Sequence, residues 1–81
     1  MLGLVKTTQR GFQIIEFLDI YKNDCTLQQS SLALYEQPGA GAVWLGVGEN
    51  RMHLDQALVK SLIATLQTWL DTGSFNKTEG E

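Results

Sequence analysis

The chain has 81 residues, of which 43% are hydrophobic and 19% are charged, and its formal net charge is −3. This composition predicts one globular domain over residues 1–81 and excludes a chain that is disordered as a whole. The weak acidic balance disfavours a surface that follows nucleic-acid phosphates, so we do not expect nucleic acid as a partner. A chain this short buries only about 60–65% of its unfolded surface, so a monomer should be marginally stable and a homodimer is an alternative.

The sequence favours a cytoplasmic protein. Cys25 is the only cysteine, so it cannot form an intramolecular disulfide, and a single thiol fits a reducing compartment. Residues 1–5 are briefly apolar, but Lys6 and Arg10 follow and no stretch has the length of a secretory signal. No run approaches the ~20 apolar residues that cross a bilayer, so we expect no membrane association.

The first half of the chain predicts strands. Residues 1–10 suit an N-terminal arm or a short strand, and the pattern does not decide between them. Residues 12–21, FQIIEFLDIY, also suit a helix, but β-branched and aromatic residues dominate and favour a strand. After a turn at residues 22–24, residues 25–32, CTLQQSSL, predict a second strand. That strand is unusually polar, which indicates a sheet edge or a binding surface.

The middle of the chain combines a loop with a buried strand. Residues 33–41, ALYEQPGAG, contain the only proline and two glycines and predict a loop. Residues 42–47, AVWLGV, are short, apolar and bounded by glycines, as expected of a central strand. A turn at residues 48–50 then leads to a brief extended segment over residues 51–53.

The clearest signal is an amphipathic helix over residues 54–73, LDQALVKSLIATLQTWLDTG. Asp55 suits the N-cap, and Gly73 suits the left-handed residue that ends a helix. We expect the tail over residues 76–81 to fray. The apolar face of the helix consists of Leu58, Val59, Leu62, Ile63, Leu66, Trp69 and Leu70.

The order of these elements predicts an α+β fold. We expect a small antiparallel sheet of three to four strands, with the one long C-terminal helix packed on one face. Such a sheet has a second face that only water or a partner can cover.

The sequence offers little that could support catalysis. Cys25 and His53 are the only candidate nucleophile and base. The better interpretation is that Cys25 is a small strand residue and that His53 is a polar residue before the helix. The glycines of residues 39–48 lack the Lys-Ser/Thr end of a phosphate-binding loop. Zinc needs three or four clustered ligands, and Cys25 and His53 are only two. We therefore predict a protein that is not an enzyme and has no catalytic residue, metal or cofactor.

One group of polar and aromatic residues suits recognition. Amides and hydroxyls beside Trp and Arg provide directional hydrogen bonds and large contact area at low charge. The alternative is that these side chains form the solvated face of a small sheet. The candidate binding residues are Gln28, Gln29, Ser30, Ser31, Trp44, Arg51 and His53.

The segments DCTLQQSSLA, VWLG, RMHL and LIATLQTWLDTG together resemble a family of small proteins encoded by tailed bacteriophages and prophages. The resemblance covers residues 12–73. It implies synthesis in the bacterial host cytoplasm but brings no activity, cofactor or catalytic residue. The motif positions are Cys25, Leu27, Gln28, Ser30, Ser31, Trp44, Leu45, Gly46, Met52, His53 and Leu54.

The resemblance favours a non-enzymatic accessory protein that binds and inhibits or redirects a host protein. Small phage proteins commonly block host components, including immunity systems such as CRISPR effectors, and this is an argument from context. A second hypothesis is a small dimeric binder that sequesters a nucleotide-type ligand, with Trp44 stacking on the base and Arg51 holding the phosphate. Weak nucleic-acid binding is the third.

Overall fold

The computed structural model describes residues 2–31 and 40–76, which form one sheet and one helix. The α+β class is therefore confirmed, but the sheet has five strands rather than three to four. The predicted loop over residues 33–41 and the predicted tail over residues 76–81 lie almost entirely outside the described residues. The elements are β1 (Val5–Thr7), β2 (Gln13–Leu18), β3 (Asp24–Gln29), β4 (Ala42–Val47), β5 (Asn50–Asp55) and α1 (Gln56–Thr72).

The strands follow one another across the sheet in the order β1-β2-β3-β4-β5, and every neighbouring pair is antiparallel. The ambiguity over residues 12–21 is resolved as a strand, and β4 has the bounds that its sequence predicted. At the two edges of the sheet, the prediction left residues 1–10 undecided between an arm and a short strand, and it expected only a brief extended segment over residues 51–53, where β5 lies. β1 has only three residues, and β5 carries polar side chains at most positions, so neither gives a strong hydrophobic pattern.

The register separates an apolar face of the sheet from a polar one, because successive side chains in a strand point to opposite sides. Residues that pair across neighbouring strands form rows that cross the sheet, and each row lies on one face. On the apolar face, one row contains Val5, Ile15, Leu27, Leu45 and Met52. On the polar face, two adjacent rows contain Lys6, Ile14, Gln28, Trp44 and His53, and Glu16, Thr26, Gly46 and Arg51.

The ends of α1 are those that the sequence predicted. The Asp55 carboxylate accepts a hydrogen bond from Leu58 N at 2.9 Å and so caps the first turn. Gly73 ends the helix with φ 78°, and its N–H donates to the Trp69 carbonyl at 2.8 Å.

The predicted packing of the helix across the sheet is not present within one chain. No residue of α1 is buried, and α1 meets the sheet chiefly at β5. Val59, in the first turns, lies beside Val43 and Leu54 at the margin of the apolar face. Farther along, Ile63 and Leu70 are 63% and 68% exposed. The physical reason is the junction: β5 ends at residue 55 and α1 begins at residue 56, so no connecting loop can turn the helix back over the sheet.

The turn between β2 and β3 is fixed by one carboxylate. Asp19 accepts hydrogen bonds from the backbone N–H groups of Tyr21 and Asn23, both at 2.9 Å, and from the Asn23 side-chain amide at 3.0 Å. The Asn23 side chain, followed by the Asn23 backbone N–H, lowers the pKa of Asp19 from its ordinary value; desolvation opposes them, and the Tyr21 N–H makes the least contribution to lowering it. Lys22 occupies the left-handed region with φ 69°. The apolar side chains at residues 20 and 21 are held exposed at the tip.

Candidate functional site

Trp44 lies at the centre of the polar face because it occupies the middle of a central strand. Its neighbours in register are Gln28 on β3 and His53 on β5. The rings of Trp44 and His53 stack with centroids 3.9 Å apart and an interplanar angle of 6°. Cross-strand aromatic pairs of this kind add stability beyond simple burial, so the indole is held in one orientation.

Arg51 completes the cluster from the next row of the polar face. Its guanidinium carbon lies 5.1 Å from the centre of the Trp44 ring, which is cation–π geometry. Its Nη1 donates to Gln28 Oε1 at 2.9 Å. Gly46, which is paired with Arg51, lets the two strands approach closely: a Cβ added there would lie 2.6 Å from the Arg51 Cα. The guanidinium is therefore positioned by an amide, an aromatic ring and a tight strand pair.

His53 is fixed from a second side by Ser30. The His53 Nε2 and Ser30 Oγ atoms lie 2.8 Å apart, and the tautomer of the ring decides which of them donates. Ser30 is only 1% exposed, and its backbone N–H donates to the Ala42 carbonyl at 3.1 Å. Because the hydroxyl is this deeply buried, the Ser–His contact holds the imidazole in position.

The turn between β1 and β2 supplies the second wall of a groove. Thr8 N donates to the Phe12 carbonyl at 2.7 Å, and Phe12 N donates to Thr8 Oγ1 at 3.1 Å. The Arg10 guanidinium carbon lies 5.7 Å from the centre of the Phe12 ring. The arginine groove, as we name it, is open and encloses about 520 Å³. Its described lining residues are Thr8, Gln9, Arg10, Phe12, Gln28, Gln29, Ser31, Trp44 and Arg51.

The groove is locally positive in a chain of net charge −3. Two arginines line it, and none of its described lining residues is a carboxylate. Each guanidinium lies over an aromatic ring. This contact holds the charge in place and leaves N–H groups of the guanidinium available to donate hydrogen bonds. The arrangement is suited to a ligand that carries carboxylate or phosphate oxygens.

The fold brings the seven predicted binding residues to one region. Gln28, Trp44, Arg51, His53 and Ser30 form the connected cluster described above, and Ser31 lines the groove. Gln29 lines it too, but its side-chain oxygen accepts a hydrogen bond from the backbone N–H of residue 13 at 2.8 Å. Its amide therefore also holds the start of β2 in place.

Sequence reasoning missed Arg10 and Phe12. Both lie in or beside the turn that follows β1, a strand whose three residues left the region unassigned. The run TTQRG, with Gly11 at φ 90°, is a usable turn signal. Placing a hairpin there would have set Arg10 at the same end of the sheet as Gln29.

The structure separates the two residues of the weak cysteine–histidine candidate. Cys25 lies on the apolar face, where it is buried and its Sγ donates to the Asn23 carbonyl at 3.4 Å. His53 lies on the polar face. Within residues 2–31 and 40–76, no cluster of three His, Cys, Asp or Glu residues could hold a metal ion.

Among the described residues, no helix is long and apolar enough to cross a membrane.

Comparison with protein-family models, with curated proteins and with solved structures finds no match to this chain. The resemblance to phage and prophage proteins therefore stays a prediction.

Proposed function

We propose that this protein is a non-enzymatic binding protein that holds an acidic segment of a partner protein in the arginine groove. The observation that carries the proposal is the pair of arginines, each stacked on an aromatic ring, in a groove whose described lining has no carboxylate. Bidentate hydrogen bonds from guanidinium to carboxylate provide both strength and geometric selectivity.

The openness of the groove favours a protein segment over an enclosed small molecule. Small-molecule sites usually bury most of the surface of their ligand, which an open groove does not do. Protein–protein interfaces instead concentrate their binding energy in Trp, Tyr and Arg residues that are already positioned. Trp44 and Arg51 meet that description, because His53 and Gln28 hold them in place before any partner arrives.

The phage resemblance sets the biological context of the proposal. The partner is then a host protein in the bacterial cytoplasm, which this protein inhibits or redirects. Host defence components, such as CRISPR effectors, are the partner class that this context favours.

The experiment is affinity capture from bacterial lysate, with captured proteins quantified by mass spectrometry. The wild type is compared with the Arg10→Ala/Arg51→Ala double variant and with Lys60→Ala, which removes a cation from the helix. The expected partner is captured by wild type and by Lys60→Ala and is lost with the double variant. If every captured protein is retained by the double variant, the groove is not the binding site.

A nucleotide-type ligand is the second candidate, because about 520 Å³ lies within the usual range of small-molecule sites. The stacking role predicted for Trp44 needs revision, since His53 already stacks on its ring. A nucleotide would use the two arginines for phosphate and would have to displace that imidazole. A thermal-shift panel tests this: ligand at about 100 times its dissociation constant adds about 2.7 kcal/mol of stability. An unchanged melting temperature at millimolar nucleotide would exclude it.

A further inference from the structure

The apolar face of the sheet has little cover among residues 2–31 and 40–76 of one chain. Among the described hydrophobic residues, only Cys25 and Leu54 are buried, at 5% and 7% exposure. Val5 and Met52, at the two ends of the apolar row, are 59% and 54% exposed. Monomeric proteins rarely expose a continuous apolar patch of more than a few hundred Å². The row crosses all five strands, so its side chains form a continuous strip that is available for another apolar surface to cover.

The helix presents a second uncovered apolar surface. A 17-residue helix is about 25 Å long, and a helix of this length is marginal in water without a packing surface. Its large hydrophobic side chains that are 49% exposed or more run along one face, which we name the helix stripe. The helix stripe consists of Leu58, Ile63, Leu66, Trp69 and Leu70.

The total surface is larger than that of a compact monomer. The accessible surface is 6660 Å², whereas a compact monomer of this mass would expose about 4,900 Å². The radius of gyration is 14.7 Å, against about 12 Å for a compact domain of this length. The excess, roughly 1,800 Å² per chain, exceeds the ~800 Å² that each partner buries in a standard interface. It lies in the range of obligate dimers, whose interfaces resemble a domain core cut in two.

We propose that a second copy of this chain covers both surfaces, so that the helix stripe and the apolar sheet face of each chain are buried against those of the other. A symmetric dimer needs one patch that is complementary to itself, and a sheet face with a projecting apolar helix provides this. A second copy is the occupant because the cover is required for folding. The described residues include two buried hydrophobic side chains, which are too few to stabilise a domain, so we expect the cover to be present whenever the protein is folded.

The dimer leaves the arginine groove open. The groove contains Trp44 and Arg51 of the polar face, and the proposed interface uses the opposite face of the same sheet. Each dimer therefore presents two grooves. The oligomeric state does not depend on which ligand the groove holds, so the two proposals fail or stand separately.

Light scattering coupled to size exclusion tests the proposal on the full chain, with Leu66→Glu and its neighbour Thr65→Glu as matched variants. Wild type and Thr65→Glu should elute with the mass of two chains. Leu66→Glu should shift to the mass of one chain or lose its circular-dichroism signal, because a side chain at half exposure in one chain becomes buried in the dimer. A two-chain mass for Leu66→Glu, with an unchanged melting temperature, would overturn the assignment of the helix stripe.

The melting temperature of the wild type provides an independent measurement. For a folded dimer it rises with protein concentration over a hundredfold range, whereas for a monomer it stays constant. A folded wild type with the mass of one chain and a constant melting temperature overturns the proposal. A mass of three or more chains overturns the two-chain assembly as well.

Discussion

The two faces of the sheet differ in how well their side chains are paired or buried within one chain. On the polar face, Arg51 donates to Gln28, and Lys6 forms an ion pair with Glu16 at 3.2 Å. On the apolar face, the row that begins at Val5 and ends at Met52 is half exposed at both ends. Hydrogen bonds are directional and can be completed locally, but apolar burial needs area that this chain does not have. In the two proposals, recognition uses one side of the sheet and assembly uses the other.

The strongest test of this comparison uses two adjacent residues of β5, Arg51 on the polar face and Met52 on the apolar face. Both are exposed within one chain, so a monomer would tolerate a glutamate at either position. In the proposed dimer, Met52→Glu buries an unpaired charge and should cost about 3 kcal/mol or more. Arg51→Glu should cost about 1 kcal/mol or less, because it loses a surface hydrogen bond and a cation–π contact.

Urea unfolding followed by circular dichroism measures both variants, with molar mass determined on the same samples. Met52→Glu should lose the two-chain mass, and Arg51→Glu should keep it. Equal stability for the two variants would mean that the apolar face is open to water in solution, which contradicts the comparison.

Gly46→Ala should have the next largest effect, since it disturbs the strand pair that positions Arg51. The added Cβ would lie 2.6 Å from the Arg51 Cα and closer still to the Asn50 carbonyl oxygen. Backbone cannot move aside as a flexible side chain can, so we expect a loss of about 2 kcal/mol. Gly48→Ala, in the same hairpin, meets nothing within 4 Å but has φ 56°, so it should cost about 1 kcal/mol.

Chemical denaturation gives both values. If Gly48→Ala destabilises as much as Gly46→Ala, backbone strain rather than close approach limits this hairpin.

The sequence predicted the elements that carry strong periodic patterns. The caps at Asp55 and Gly73 and the bounds of β4 agree with the structure, and the strand predicted over residues 12–21 is present at Gln13–Leu18. Each depends on residues close in sequence, so local chemistry is sufficient. β1 was not assigned because three residues are too few to show a periodic pattern. The position of the helix relative to the sheet was not predicted because it depends on the absence of a loop before Gln56.

The candidate site was predictable only in part, for a related reason. Residues of β3, β4 and β5 could be grouped because polar and aromatic types recur on those strands. The Trp44–His53 stack depends on a register that no short motif fixes. Arg10 and Phe12 join the groove through a turn at the far side of the sheet, which residue types alone do not reveal.

Thr26 lies on the polar face, but within residues 2–31 and 40–76 its hydroxyl is not hydrogen-bonded, so replacing it should raise stability rather than lower it. Its Oγ1 is buried and has no hydrogen-bond partner among the described residues. An unsatisfied buried hydroxyl destabilises the folded state, so Thr26→Val should stabilise the protein by about 1 kcal/mol. Thr8→Val is the matched control: its hydroxyl accepts a hydrogen bond from Phe12 N, so the same change should destabilise by about 1 kcal/mol. Thermal unfolding measures both, and a destabilised Thr26→Val would show that the hydroxyl is satisfied in solution.

The smallest expected effect is at the Asp19 turn, outside both faces. Hydrogen bonds, chiefly from the Asn23 side chain, lower the pKa of Asp19 in the folded protein below its ordinary value of 3.8. The contribution of Asp19 to stability is therefore fully present above that ordinary value, and it is lost as the pH falls through the lower, folded pKa. Asn23→Ala removes the main donor and should move the pKa of Asp19 upward, measured from its carboxyl chemical shift in an NMR titration. An unchanged pKa would contradict this, since the backbone donors alone would then account for the shift. Because the turn belongs to neither face, Asn23→Ala should keep the two-chain mass that Met52→Glu loses, which separates a local defect from a loss of assembly.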